Sequence, residues 1–185
     1  MMKNLFVILA VVFVALAFPV GASAVAEDSV EQLLDRLAKA GDALESRHIA
    51  DALLNRWARA NSDTIDLLAA RAQAAEAAGA PSLARQLLDY VITLAPNWAD
   101  GYVRRARARA ASGDDAGALS DLETSLLKEP GRFDALAMQG ALAERSGDKK
   151  QALAATRKAL ALQPMNEDLR KTEERLKIEV EGRDI

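Results

Sequence analysis

The sequence has 185 residues and a formal net charge of −3, and half of its residues are hydrophobic although only 4% are aromatic. Because nucleic-acid binding requires a clustered excess of Lys and Arg, this composition argues against a nucleic-acid partner. The absence of cysteine excludes disulfides, thiolate chemistry and cysteine-bound metals. Ala and Leu supply much of the apolar content, which favours packed helices over a sheet.

The first 24 residues have the pattern of an export signal. A short basic start precedes an uncharged apolar run over residues 5–20, and Ala22 and Ala24 fit the small-residue rule of signal peptidase. We therefore expect cleavage after Ala24. The alternative is that the segment is retained as an anchor in the inner membrane, although the run contains Pro19 and is shorter than the ~20 apolar residues of a spanning helix.

Residues 25–64 are predicted to form two helices. The first follows the acidic stretch before Ser29 and ends near Gly41, as helices often do at a glycine just past the C-cap. The second runs from about Ala43 to Ala60, and its apolar residues recur at spacings of three and four, which is the helical period.

Residues 65–166 contain three units with a period of 34 residues, namely 65–98, 99–132 and 133–166. Glycine and proline recur at this spacing at Gly79, Gly113, Gly147, Pro96, Pro130 and Pro164. Small residues recur in phase at Ala72, Ala106, Gly140, Ala84, Ala118 and Ala152. Glycine suits a tight turn, proline ends a helix, and small residues let two helices approach closely. A period of this length is typical of a repeated helix pair.

These columns resemble the tetratricopeptide repeat consensus over residues 31–166, and segments 99–106 and 127–136 resemble exported bacterial proteins of that family that have no established activity. The resemblance implies an all-α fold, a tetratricopeptide-type α-α superhelix with a C-terminal capping helix, in a bacterial periplasm. Residues 25–64 are then a degenerate first helix pair of the array, since terminal repeats are often irregular. Residues 167–185 form the capping helix and tail that cover the open end.

The sequence offers no set of residues that suits catalysis, a cofactor or a metal. Its single histidine, His48, has no ligand or catalytic partners at a suitable spacing. The chain shows neither a glycine-rich phosphate loop nor a nucleophile elbow, and the adjacent acids Asp114 and Asp115 belong to a turn. We therefore expect a protein that is not an enzyme.

An aspartate recurs at the second position of each unit, as Asp66, Asp100 and Asp134. One interpretation is an acidic ladder on the concave face, built by the first helices, that binds a basic or amide-rich segment. The other interpretation is structural, because the unpaired amides and the dipole at any helix start favour a carboxylate. The sequence leaves both open.

The stretch 104–109 contains four arginines. A helix places Arg104 and Arg107 on nearly one face, at positions where tetratricopeptide grooves commonly hold ligands, and arginine binds a carboxylate through two bonds. The carboxylate clamp of chaperone-binding family members is not reproduced, because Ala69, Ala70 and Gln73 stand in the neighbouring unit. The alternative is a solvated face whose arginines pair with Asp100, Asp114 or Asp115.

The leading hypothesis is a non-enzymatic protein–protein interaction module, an adaptor or scaffold whose concave face binds a peptide segment or helix of a protein partner. The candidate contacts are Asp66, Gln73, Asp100, Val103, Arg104, Arg107, Asp134 and Met138. The alternative is a structural or assembly protein of a cell-envelope complex that oligomerises or spaces its partners. The sequence names neither the partner nor the oligomeric state.

Overall fold

The computed structural model describes residues 28–182, and this part of the chain is all helical. Its helices are α1 (Val30–Ala38), α2 (Ala43–Trp57), α3 (Asp63–Ala77), α4 (Pro81–Leu94), α5 (Ala99–Ala111), α6 (Asp115–Lys128), α7 (Phe133–Arg145), α8 (Lys149–Leu162) and α9 (Glu167–Glu181). The predicted export signal lies outside the described residues. Within residues 28–182, no helix is long and apolar enough to cross a membrane.

Local capping chemistry sets several of the helix starts. Ser29 and Gln32 form a reciprocal capping box at α1, which satisfies two backbone N–H groups that lack partners at a helix start. Aspartate or asparagine side chains accept backbone N–H groups at four other starts, at positions 42, 114, 148 and 166. These residues fix where each helix begins, because an unsatisfied amide at a helix end is costly.

The turns inside the three units depend on glycine. Gly79, Gly113 and Gly147 have φ angles of +71°, +84° and +85°, a left-handed conformation that other residues adopt only at a cost. Gly41 is different, since it is not among the residues with a positive φ. Gly41 is also not the residue directly past the C-cap, which is Lys39, so the predicted role of Gly41 in ending α1 is wrong. The helix ends earlier, at Ala38, and Asp42 starts the next one by accepting the amide of Glu45 at 2.8 Å.

Helices α3 to α8 form the predicted repeat array, in which each unit contributes a first helix (α3, α5 or α7) and a second helix (α4, α6 or α8). The predicted small residues lie at the helix crossings. Five of them are buried alanines, namely Ala72, Ala84, Ala106, Ala118 and Ala152. Larger side chains fill the spaces between them, including Leu88, Val91 and Leu122. Close crossings at small residues with large ones packed alongside are the ridge-and-groove packing expected of stacked helix pairs.

Helix α9 covers the last repeat. Leu176 is fully buried and shares a cluster with Ala143, Ala152 and Leu153 of α7 and α8, while Val180 packs against the same cluster. Ion pairs surround this contact, including one from Arg157 to Glu173 and others from Arg175 to Glu144 and from Lys149 to Glu179. The apolar face predicted for this helix therefore serves as the cap of the array.

The first helix pair does not continue the stack. Buried residues of α1 and α2 form one cluster with Phe133 at the start of α7, and Leu162 and Met165 pack against it. Helix α1 also packs against α8. The interpretation of residues 25–64 as a degenerate first repeat is therefore wrong in its placement, because a first repeat would bury its apolar face on α3 rather than on the last repeat.

Helix α2 runs lengthwise along the array and touches the turn that precedes each of three helices. Near its N-terminus Ser46 accepts a hydrogen bond from Gln163 at 3.4 Å, ahead of α9. At its C-terminus the carbonyl of Trp57 accepts the indole N–H of Trp98 at 2.9 Å, ahead of α5. The Trp57 ring also lies 5.6 Å from the ring of Phe133 at the start of α7. A helix of 15 residues is about 22 Å long, which is enough to span the three turns.

Candidate functional site

A groove of about 260 Å³ lies between α2 and the first helices of the array. Asn55 borders it from α2, Gln73 and Glu76 from α3, and Arg104 and Arg107 from α5. Helix α2 forms one wall because it runs along the array rather than stacking on its end. The groove therefore combines the face predicted from the first helices with a wall that the repeat period does not reveal.

Arg132 lies at the base of this groove and is the largest fully buried side chain of the described residues, with 1% of its surface exposed. Its Nη2 donates to Asp100 at 2.7 Å and to Asp134 at 2.6 Å, and its Nε donates to Asp134 at 2.9 Å. The guanidinium carbon also lies 4.7 Å from the centroid of the Trp57 ring, a favourable cation–π distance. Arg132 thus joins two repeats to α2.

The charge of Arg132 is held in place by its two carboxylate partners. Burial opposes the charged form of the guanidinium, but the hydrogen bonds and the charges of Asp134 and Asp100 outweigh it and raise the pKa. Arg132 is therefore a permanent cation in a buried setting. A buried charge of this kind is tolerated only when it is paired with anions. Its Nη1 is buried and has no hydrogen-bond partner among the described residues, and the residue borders the groove.

All three aspartates of the 34-residue column have partners in the protein. Asp66 accepts the backbone N–H of Ala60 at 3.0 Å and so fixes the approach to α3. Asp100 is buried between Arg132 and Arg104, and Asp134 is bound by Arg132. The prediction of a free acidic ladder is therefore wrong, because each carboxylate is already used to hold a turn or a neighbouring repeat.

Three of the four clustered arginines are also paired. Arg104 donates to Asp100 at 2.6 Å, and its guanidinium lies 5.5 Å from the centroid of the Trp98 ring. Arg105 binds Asp121, a bond that raises its pKa against the opposing effect of burial, and Arg109 forms an ion pair with the same carboxylate. The predicted pairing is found for Arg104 with Asp100 and for Arg109 with Asp114. Asp121, which binds both Arg105 and Arg109, was not among the predicted partners, and these side chains are mostly buried rather than solvated.

Arg107 is the exception in the cluster. It is exposed, borders the groove and makes no side-chain hydrogen bond or ion pair with the described residues. Its charge acts on Glu76, whose pKa is raised by burial, an effect that Arg107 and Arg104 oppose. One carboxylate oxygen of Glu76 is itself buried without a hydrogen-bond partner among the residues described. The exposed guanidinium of Arg107 is therefore an unused donor at the groove.

Two of the predicted contact residues belong to the core instead. Val103 is 2% exposed and lies in a cluster with Ala106, Leu122 and Leu142, and Met138 packs against that cluster. Their prediction as partner contacts is wrong, because both side chains point into the interface between the helices. Five of the predicted residues do border the groove, namely Gln73, Asp100, Arg104, Arg107 and Asp134.

Arg132, Asn55 and Glu76 were missed by the sequence reasoning, and only Arg132 had a signal that could have found it. Arg132 and Trp98 occupy equivalent positions 34 residues apart, and both are helix N-caps without a side-chain cap bond. Ser, Thr, Asp and Asn are the residues that usually serve there, so a large cation and a large ring mark another role. That role is to contact α2.

The sequence matches no protein-family model, and no curated protein is similar to it. Solved structures with a similar fold include the Sgt2 tetratricopeptide domain from Aspergillus fumigatus, at 25% identity and a TM-score of 0.59, covering 65% of this chain and 81% of that one. A structure of MamA is 17% identical with a TM-score of 0.62 and covers 82% of this chain and 86% of that chain.

A third similar structure is the Yersinia enterocolitica type III secretion chaperone SycD in complex with a peptide of the translocator YopD. It is 14% identical with a TM-score of 0.60 and covers 64% of this chain and 95% of that one. The agreement with these structures, together with the stacked helix pairs α3–α8 and the terminal helix α9, identifies the architecture predicted from the 34-residue period. The chain has the fold of tetratricopeptide repeat proteins, an all-α superhelix of helix pairs closed by a capping helix.

Proposed function

We propose that this chain is a non-enzymatic protein–protein interaction module whose groove binds an extended segment of a partner protein. The observation that carries the proposal is the convergence of Arg104, Arg107 and Arg132 on one groove. Arg107 keeps its donors for a ligand, since it is exposed and has no ion pair with the described residues. Arg132, which is buried and bound to Asp100 and Asp134, fixes the base of the groove. Such donors suit backbone carbonyls or carboxylates of a peptide.

The position of α2 favours an extended segment over a helix. Helix α2 already lies along the array beside the first helices, where its residues Asn55 and Ala58 border the groove. A second helix needs a space about 10–12 Å across, whereas an extended segment offers its backbone groups to side chains on both walls. Asn55 and Gln73, from opposite walls, supply amide groups that match a peptide backbone.

The structural comparisons support a peptide partner. SycD, whose fold is similar, is described in complex with a peptide of the translocator YopD. The likeness concerns the fold, so the identity of the partner must come from this chain's own groove. Its charges are balanced, with three arginines against Glu76, Asp100 and Asp134, and the proposal therefore rests on unused donors rather than on net charge.

Photo-crosslinking in cells tests the proposal. A photoreactive phenylalanine derivative in place of Gln73 would lie at the groove, while the same residue in place of Arg71 would lie on α3, exposed and outside the groove. We expect a discrete adduct from position 73 and none from position 71. Mass spectrometry of the adduct then identifies the bound segment.

Charge reversal at Arg107 provides the matched test of affinity. Arg107→Glu should weaken the adduct about tenfold or more, because a hydrogen bond to a charged group contributes ~1.5–3 kcal/mol. Arg71→Glu makes the same change outside the groove and should have no effect, and circular dichroism should show both variants folded. Equal adducts from positions 73 and 71, or an adduct insensitive to Arg107→Glu, would contradict the proposal.

We also propose that the module acts in a bacterial periplasm after loss of residues 1–24. Support comes from the apolar run of residues 5–20 and from the small residues Ala22 and Ala24, which suit signal peptidase. Mass spectrometry of the chain purified from the cell envelope should find Val25 at the N-terminus. An intact Met1 would instead favour a retained anchor in the inner membrane.

A further inference from the structure

A second, apolar cavity shares no lining residue with the groove. It is open, has a volume of about 700 Å³ and is built by α6, α7 and α8. We call it the rear cavity, and its apolar lining consists of Leu126, Leu127, Pro130, Leu136, Ala161 and Leu162. Leu127 beside it is 84% exposed, the highest exposed fraction of any large apolar side chain that the structure describes. An exposed apolar patch of this kind marks an interaction site more often than chance.

The preceding repeat shows that the rear cavity is not a general property of the array. A shift of 34 residues leads from Leu136 to Tyr102 and from Leu162 to Lys128. The Tyr102 ring, which is half-buried, carries the Lys128 ammonium 5.4 Å from its centroid and the Arg105 guanidinium 5.8 Å from it. Aromatic and charged side chains thus close the equivalent space between α4 and α6.

Each element of that closure is replaced in the third unit. Gln139 stands at the position of Arg105, so the ion pair that joins Arg105 to Asp89 at 2.8 Å has no counterpart. Glu123, the equivalent of Asp89, makes no ion pair with the described residues. Leu127 stands at the position of Thr93. These replacements remove charged and polar side chains from the surface and add apolar ones. Such a change is typical of a surface that another molecule covers.

The rear cavity is complementary to itself. It presents a projecting leucine, Leu127, beside a hollow lined by leucines, and its rim carries one anion and one cation, Glu123 on α6 and Lys158 on α8. Neither rim charge is paired within the described residues. A two-fold axis places the same patch of two copies face to face. Leu127 of each copy would then enter the hollow of the other, and Glu123 of each would meet Lys158 of the other.

We propose that the rear cavity is the interface of a two-fold symmetric homodimer. The occupant is a second copy of this chain, because self-association requires both charges and both shapes on one patch, and this patch has them. The interface uses none of the residues that border the groove and leaves the groove accessible. The dimer therefore carries two grooves. If the chain proves to be a monomer, the proposal that the groove binds a peptide is unaffected.

Sedimentation velocity of the chain purified from cells that express all 185 residues tests the dimer. We expect a mass that rises to twice that of the monomer with concentration. Leu127→Arg should weaken association at least about a hundredfold, since each dimer loses two buried leucines. Thr93→Arg makes a matched change at the equivalent position of the preceding second helix, where the side chain is also exposed, and should leave association unchanged.

A charge swap tests the two-fold geometry separately. Glu123→Lys should weaken the dimer, because it places two lysines opposite each other at both ends of the interface. Glu123→Lys combined with Lys158→Glu should restore it, since the exchanged charges again meet across the axis. A chain that remains monomeric at all concentrations, a dimer that Leu127→Arg does not weaken, or a monomer that instead buries this patch against a different protein would overturn the proposal.

Discussion

Replacing Arg132 with methionine removes the buried cation while keeping most of the side-chain volume. Loss of one partner from a buried ion pair costs ~3–5 kcal/mol, because the other partner stays buried and uncompensated. Asp100 keeps Arg104 at 2.6 Å, and the side chain of Asp134 is 21% exposed, so the lower end of that range applies. We therefore expect the free energy of unfolding of Arg132→Met to fall by about 3 kcal/mol.

Urea unfolding followed by circular dichroism measures this loss as a lower midpoint at an unchanged slope. In a chain of this size it corresponds to a fall in melting temperature of roughly 6–12 °C. Arg71→Met changes an exposed arginine of α3 and should alter the unfolding free energy by less than about 0.5 kcal/mol. This control separates the effect of the buried network from a general loss of positive charge.

A double-mutant cycle identifies the cause of the loss. Asp100→Asn removes the buried anion that Arg132→Met leaves with Arg104 alone, so the double variant should be more stable than the sum of the two single effects implies, by at least about 1 kcal/mol. The reasoning is refuted if Arg132→Met costs less than about 1 kcal/mol or if the two substitutions are additive, since the ion pair would then contribute little to the fold.

Two further outcomes follow from the structure. The pKa of Glu76 is raised above its ordinary value of 4.5 by burial, so the folded state binds more protons than the unfolded state and loses stability as the pH rises through the window above 4.5. Glu76→Gln should therefore be more stable than the wild type at neutral pH in urea unfolding, with the difference shrinking as the pH falls, and a difference that grew on acidification would contradict this. Gly113→Ala should cost about 1–2 kcal/mol, because φ is +84° there and an alanine is strained in that region. Gly41→Ala, at a turn without a positive φ, should be neutral or stabilising. Thermal unfolding of the two glycine variants measures both effects.

The repeated part of the chain was predictable because its characteristic residues act on turns and helix crossings close to them in the sequence. Gly113 and Ala118 recur at a fixed period, and each serves a turn or a helix crossing within a few residues of its own position. The same local chemistry sets the start of α9, where Asn166 caps two backbone amides. Short-range rules of this kind are enough to define helix pairs and their order in a stack.

The first helix pair and the groove were not predictable from such rules. The spacing of apolar residues in α1 and α2 shows that each helix has a buried face, but it does not show which surface covers that face. That surface is formed by Phe133 and by residues near Gln163, far along the chain. The sequence reasoning offered a pair between Arg104 and Asp100 as one alternative, but it did not reveal that Arg132 also binds Asp100.

The contact between Ser46 and Gln163 joins residues 117 positions apart, and this changes how the chain should fold. An open array gains stability one neighbour at a time and can begin to form at any repeat. Here the first helices to be synthesised can be covered only after the last turn of the array exists, because closing so long a loop must be offset by contacts with a completed surface. The apolar face of α1 and α2 therefore stays uncovered through most of folding, and the array becomes one cooperative unit only when that face docks.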